Sequence, residues 1–337
     1  MLTCHLDDPT GYGRVLRDAD SRVIGIREHK DCTGGELAIK EVNPGVYIFT
    51  TSFLRDALPK LTTNNAQGEL YLTDTVALAQ GSGVAAVPAD AQSLQGVNDR
   101  AQLFQLEERL TRRIADRWRV AGVTVRAGAE IHDTVEIEPD AIIEPGVVLR
   151  GKTRIGKGAR IDVGSVVDDA TIEAGAHVKP YSVITSSSVG EKAQIGPFSH
   201  LRPGSKIGND AHVGNFVETK NTTLHRGAKA NHLAYLGDGD VGEEANVGAG
   251  TIFCNYDGFR KHRTVIGARA FIGSDSQLVA PVTIGEGAYV GTGTTVTKDV
   301  PADALALSRV PQVNKEGYAT KLRTRMKAAA EAAKTSK

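Results

Sequence analysis

The chain has 337 residues, enough for two domains, and its 40 basic and 40 acidic residues cancel to a formal charge of zero. That balance excludes an overall basic face built for nucleic acid, and no apolar run approaches the ~20 residues of a membrane span. Three widely spaced cysteines, Cys4, Cys32 and Cys254, and a start without an apolar leader core predict a cytoplasmic protein with neither a disulfide framework nor a zinc site.

Residues 1–98 mix strand-like and helix-like stretches. VIGIREHKD and GVYIFT predict strands, DDPTGYGR and NNAQGE loops, and LTDTVALAQ a short helix. This is α/β material. Residues 99–119, DRAQLFQLEERLTRRIADRWR, place Leu103, Leu106, Leu110 and Ile114 at spacings of three and four, which predicts one amphipathic linker helix.

From Val125 the grammar changes. Aliphatic residues recur every six positions through Ile131, Ile137, Ile143, Leu149, Ile155, Ile161 and Val167. The series slips by one to Ile172, Val178 and Ile184, and again to Val189, Ile195, Leu201, Ile207 and Val213. It weakens through Leu224, Ala230, Leu236, Val241, Val247 and Phe253, then closes with Ile266 to Val296. A period of six fits neither an α-helix nor simple alternation. It predicts a parallel β-helix of hexapeptides over residues 120–311, with three hexapeptides to a coil and each inward residue stacked on the one 18 positions later. Thirty-seven glycines suit the tight corners. Residues 312–337 form a basic, Ala-rich tail, read as a terminal helix or a frayed end.

Several residues interrupt this wall with chemistry. Phe253 and Ile266 lie 13 positions apart, one more than two blocks, and Asn255, Tyr256, Arg260, Lys261 and Arg263 fall between them. A loop thrown out from a solenoid commonly rims a site, and a solvated basic loop is the alternative. His232 suits a general base at neutral pH, with an ordinary surface histidine as the alternative. Leu233 or a neighbour must then turn inward. Arg202 and Lys220 are 18 apart, so they stack one coil apart and repel unless an anion such as a phosphate joins them. The next step of 18 reaches Asp238, and Glu218 offers a purely structural neutralisation of the pair. None of the nine histidines pairs at 18, which leaves metal chemistry to a site shared between chains.

The stretch LRPG…GNFVETK…NHLAYLGD…NVGAGTIFCNYDG…FIGSDSQLVAPVTIG…TTVTKDV…SRVPQ resembles the acetyltransferase domain of the bacterial N-acetylglucosamine-1-phosphate uridyltransferase / glucosamine-1-phosphate N-acetyltransferase family. LDDPTGYGR, EHKD, EVNPG, NNAQGELYLTD and QGVNDR resemble its uridyltransferase domain. The resemblance implies a Rossmann-like α/β nucleotidyltransferase portion (residues 1–98), a linker helix, and a left-handed β-helix. It implies acetyl transfer from acetyl-CoA to glucosamine 1-phosphate, then coupling to UTP with magnesium, on the way to UDP-N-acetylglucosamine for peptidoglycan and lipopolysaccharide. It also implies a homotrimer.

Residue by residue, the resemblance makes His232 the general base and Arg202 and Lys220 the sugar-phosphate cations. Tyr235 and Asn246 hold the sugar, and Lys261 adds a basic group on the loop. Ala249, Asn255, Tyr256, Ser274, Thr292 and Arg309 contact acetyl-CoA, with Thr292 standing where relatives often have alanine. Gly13, Glu28, Asn43 and Asn98 resemble part of the UDP-sugar pocket, Asn98 also touching the metal. The family's Gly-rich nucleotide loop, its lysine and its magnesium-holding aspartate have no counterpart in these 337 residues. Negligible uridyltransferase activity is therefore expected, with residues 1–98 poorly ordered or aggregation-prone in isolation. A catalytically silent β-helical scaffold is the competing reading.

Overall fold

Each aliphatic residue of the six-residue series, from Val125 to Val296, is buried in the computed structural model of the chain. The structure describes residues 1–79, 83–94, 96–97, 99–308 and 310–335. It forms two units, Met1–Leu106 and Glu107–Lys337.

The larger unit is the expected left-handed parallel β-helix. Three parallel sheets of 11, 10 and 9 strands make three walls, beginning at Thr124–Val125, Glu130–Ile131 and Glu136–Ile137. The chain visits walls one, two and three in turn, and each of the first nine coils adds one short strand to each. One aliphatic residue per strand points inward and stacks on its neighbours. Each fully buried side chain of that kind contributes roughly 1.5–3 kcal/mol before entropy is counted.

The stacking interval is not uniformly 18. Leu149 faces Val167, 18 residues on, but Val167 faces Ile184, only 17 on. The cause is the corner between walls two and three. Where it takes five residues instead of six, a left-handed residue such as Asp169, Ser186, Asn221 or Asp238 tightens the turn. Each slip in the aliphatic series is such a corner. The series also passes over Thr219, which is fully buried between Leu201 and Leu236. Its hydroxyl donates to Ser205 Oγ at 2.8 Å, which satisfies a polar group among apolar ones.

Phe253 sits on wall two and Ile266 on wall three, where Ile266 pairs with Val241. The 13-residue step is therefore not two blocks plus one. It is a single corner, elsewhere five or six residues, carrying a long insertion.

The corner between walls one and two holds a column of left-handed residues. Gly128, Gly146 and Gly164 begin it, Tyr181, Phe198, Phe216 and Leu233 continue it, and Gly250 follows. A Cβ on Gly164 would run into the Tyr181 ring. The rings of Tyr181, Phe198 and Phe216 stack at 5.5 Å, and each is about half exposed. Bulky residues seldom adopt positive φ, so the fold holds these aromatics outward against their own preference.

Helix Arg100–Val120 buries only its last turns. Ile114 and Ala115 join Val123 and Val125 in the core and close the solenoid's first coil, whereas Leu103 and Leu110 stay exposed. The tail forms helix Tyr318–Thr335.

The smaller unit has a five-stranded mixed sheet in the order β3-β2-β4-β1-β5, with β1 at Leu2–His5, β2 at Gly13–Arg17, β3 at Val23–Arg27, β4 at Glu41–Asn43 and β5 at Val87–Pro88. Only β1 and β5 run parallel. Its core is small, formed by Val15, Val23, Ile26 and Val76. The segment GVYIFT is not a strand. Tyr47, Phe49 and Phe53 stack on one another instead, and Ile48 between them is 94% exposed.

Candidate active site

Three parts of one solenoid face carry the expected residues. The first is the outer surface of wall two. Leu201 pairs with Thr219, so the following residues Arg202 and Lys220 stand in register one coil apart. Lys220 pairs next with Gly237, not Asp238, because that coil has the short corner. Arg202 binds Glu218 at 2.8 Å, and the carboxylate raises its pKa further. Lys220 makes no ion pair with any described residue and is half-buried. One neutralised cation and one unneutralised cation remain, a surface suited to a phosphate. A Cβ on Gly237 would collide with the Tyr235 hydroxyl and the Asn255 amide, so both lean over that glycine beside Lys220.

The second part is the corner beside Leu233. His232 ends strand Lys229–His232 with its side chain exposed. Leu233 does not turn in: its φ of 44° throws it outward, 61% exposed, and Ala234 fills the core in its place. The imidazole Nδ1 lies 2.9 Å from Asn215 Oδ1 on the coil before. The register Ala230–Val247–Ile272–Val290 carries the same column onward from His232 through Ala249, Ser274 and Thr292. At ~4.8 Å per rung, these small residues form a track along the prism from the imidazole. Asn246 lies on wall one as well, at the opening end of its strand, between Lys229 and Phe271.

The third part is the inserted loop. Asn255 does not face outward; it is 4% exposed and donates to Asp238 Oδ2 at 2.6 Å. Lys261 stands 4.6 Å over the Tyr256 ring, a cation–π contact that aligns both residues. Asp257 accepts from the Phe259 and Arg260 amides at 2.8 and 2.7 Å and pairs with His262 at 2.6 Å. These bonds, the His262 contact foremost, hold the Asp257 carboxyl well below the usual range. Arg263 pairs with Asp240, so it is a structural cation.

In the smaller unit, Gly13 pairs with Asn43, and a Cβ on Gly13 would strike Ile26 and approach Glu28. Thr73 donates to Glu28 at 3.0 Å. Burial pushes the neighbouring Tyr47 phenol up to about 12, and its buried hydroxyl has no hydrogen-bond partner among the described residues. Asn98 and Arg309 lie outside the described residues.

Sequence reasoning missed Asn215 and Gly237, and it reached Asp238 only as the end of the cation column. Asn215 precedes His232 by 17 residues, the interval of a short-corner coil, and a search at 18 passes over it.

The bacterial transferase hexapeptide (six repeats) family matches at residues 186–221 and 263–298. The bifunctional protein GlmU of Sorangium cellulosum is 69% identical over 332 residues, spanning 98% of this chain and 70% of that protein. The chain belongs to the GlmU family. GlmU proteins of Pseudarthrobacter chlorophenolicus and Bordetella parapertussis are 46% and 49% identical, with 94% of this chain covered in each case. The chain spans 65% and 71% of their lengths. Among solved structures, an Arabidopsis UDP-N-acetylglucosamine acyltransferase aligns at 16% identity and a TM-score of 0.35, over 54% of this chain and 70% of that one. GlmU membership supports the acetyltransferase reading over a silent scaffold.

Proposed function

We propose that the face around His232 transfers acetyl from acetyl-CoA to the amine of glucosamine 1-phosphate. The observation that carries this reading is three features on the adjoining walls one and two: an outward imidazole at the corner between them, a half-buried Lys220 beside Arg202 on wall two, and a track of small residues running on from the imidazole. Lys220 and Arg202 would hold the phosphate, with Tyr235 and Asn246 on the sugar. The track over Ala249, Ser274 and Thr292 would seat the pantetheine arm, with Tyr256 on the rest of acetyl-CoA and Lys261 adding a basic group for the sugar substrate.

An ammonium has no lone pair for attack on a thioester. His232 takes one proton, the neutral amine nitrogen bonds to the carbonyl carbon, the C–S bond breaks, and the nitrogen sheds its second proton to become the amide; of the two protons, one goes to the departing thiolate and one to solvent. General base catalysis supplies ~10²–10⁴-fold of the rate, and holding both substrates against one face supplies much of the remainder.

The reading includes a homotrimer in the cytoplasm. Its support is the ladder of Tyr181, Phe198, Phe216 and Leu233, an exposed apolar strip ending at His232. Three copies closed in a ring would cover that strip and wall in an otherwise open site. No helix is long and apolar enough to cross a membrane among the described residues. Magnesium is implied only for uridyl transfer. The described residues gather no group of three or more His, Cys, Asp or Glu able to hold a metal, and no step here runs through one.

The deciding assay measures free CoA thiol released from acetyl-CoA with glucosamine 1-phosphate. His232→Ala should lower kcat by ~10²-fold or more while changing KM little. Near-normal turnover in that variant overturns the assignment, and no turnover in the unaltered protein favours the scaffold.

A further inference from the structure

We infer that Asn215 is a positioning residue that sets the tautomer of His232. The inference rests on His232 acting as the base.

Asn215 and His232 are register partners on adjacent coils of wall one. Each stands immediately before a left-handed residue, Phe216 at φ 59° and Leu233 at φ 44°. The same backbone turn therefore throws both side chains from the same corner, and the 2.9 Å contact joins Asn215 Oδ1 to His232 Nδ1. An amide oxygen only accepts, so Nδ1 carries the proton in this contact. Nε2 is then left with its lone pair, which is the atom a base needs free. Without a partner, imidazole favours the opposite tautomer, in which Nε2 is protonated and unable to accept.

The choice of an amide has its own consequence. A carboxylate at the same place would also accept from Nδ1, but its charge would stabilise the imidazolium. An imidazolium cannot take a proton from the substrate ammonium. The amide orients the ring without adding that charge. Other titratable groups on the neighbouring strands are His212 on the coil below, Lys229 on the same strand, and Glu218, Lys220 and Tyr235 on wall two. His225 and His262 are bound to Asp240 and Asp257 instead. Asn215 is the described hydrogen-bond partner of the His232 ring.

The test combines kinetics with histidine ¹⁵N NMR on the full chain, the His232 signal being assigned by its loss in His232→Ala. The unaltered protein should show the Nδ1–H form. Asn215→Ala should shift the signal toward the Nε2–H form and lower kcat ~10- to 100-fold, part of what general base catalysis supplies, with KM for both substrates nearly unchanged. Asn215→Asp should restore the Nδ1–H form and most of kcat at high pH, with the acidic limb of the pH–rate profile moved upward. An Nε2–H form in the unaltered protein overturns the inference, as does an Asn215→Ala protein with unchanged tautomer and kcat. An Asn215→Asp protein as slow as Asn215→Ala at every pH also overturns it. Should His232→Ala itself turn over normally, the catalytic reading fails, while the tautomer measurement still reports on Asn215.

Discussion

Asp238 Oδ2 accepts from the Asn255 amide at 2.6 Å while its Oδ1 accepts from the Asn221 amide at 2.8 Å. One carboxylate at a left-handed corner thus joins two coils and fastens the inserted loop to wall two. The loop's outer groups are placed through this anchor, because Asn255 also accepts from the His262 amide at 2.8 Å.

Replacing Asp238 by Asn keeps a residue that tolerates positive φ but turns one acceptor into a donor facing a donor. The half-satisfied arrangement should cost about 1–3 kcal/mol. Calorimetry should show the lowered melting temperature, and the His262 amide should exchange faster. Unchanged melting and exchange would show that the anchor lies elsewhere.

Gly237 tests the wall itself. In Gly237→Ala the new methyl group meets the Tyr235 hydroxyl and the Asn255 amide, both leaning over that position. Displacing one sugar-holding group should raise KM for glucosamine 1-phosphate roughly tenfold, ~1.4 kcal/mol, with a smaller effect on kcat. Wild-type KM in this variant would remove Tyr235 from the substrate site.

Asp257 governs the loop's response to acid. Its folded pKa is depressed, so the contribution of its contacts is fully present above the ordinary carboxylate range. It is lost only as pH falls through the lower folded value. Amides of Phe259 and Arg260, which donate to Asp257, should therefore stay protected against hydrogen exchange from neutral pH down through pH ~4. Asp257→Ala should exchange rapidly at both residues across that range. Loss of protection in the unaltered loop already near pH 5 would contradict the latch.

Much of this protein is written in one dimension. A solenoid coil contacts only the coils beside it, so its inward residues recur at a nearly constant interval. That is why Val125 through Val296 could be named as core, and why the family motifs pointed to His232, Arg202 and Lys220. The missed features share a cause. Whether a coil takes 17 or 18 residues depends on one residue more or less at the corner between walls two and three, and composition does not announce which corner is short. That single residue moves Lys220 from Asp238 onto Gly237 and sets Asn215 beneath His232. GVYIFT reads as a strand by its residues, yet a strand needs a hydrogen-bonded neighbour, which sequence pattern does not supply.

The sequence by itself determined the repeat, the buried face and the residue types available for chemistry, because local period and stacking are one property in a β-helix. Only the tertiary structure decided which residue stands over which. That is a matter of backbone sign at the corners, and it separates an exposed Leu233 from a buried Ala234, tucks Asn255 beneath its loop, and gives His232 its partner.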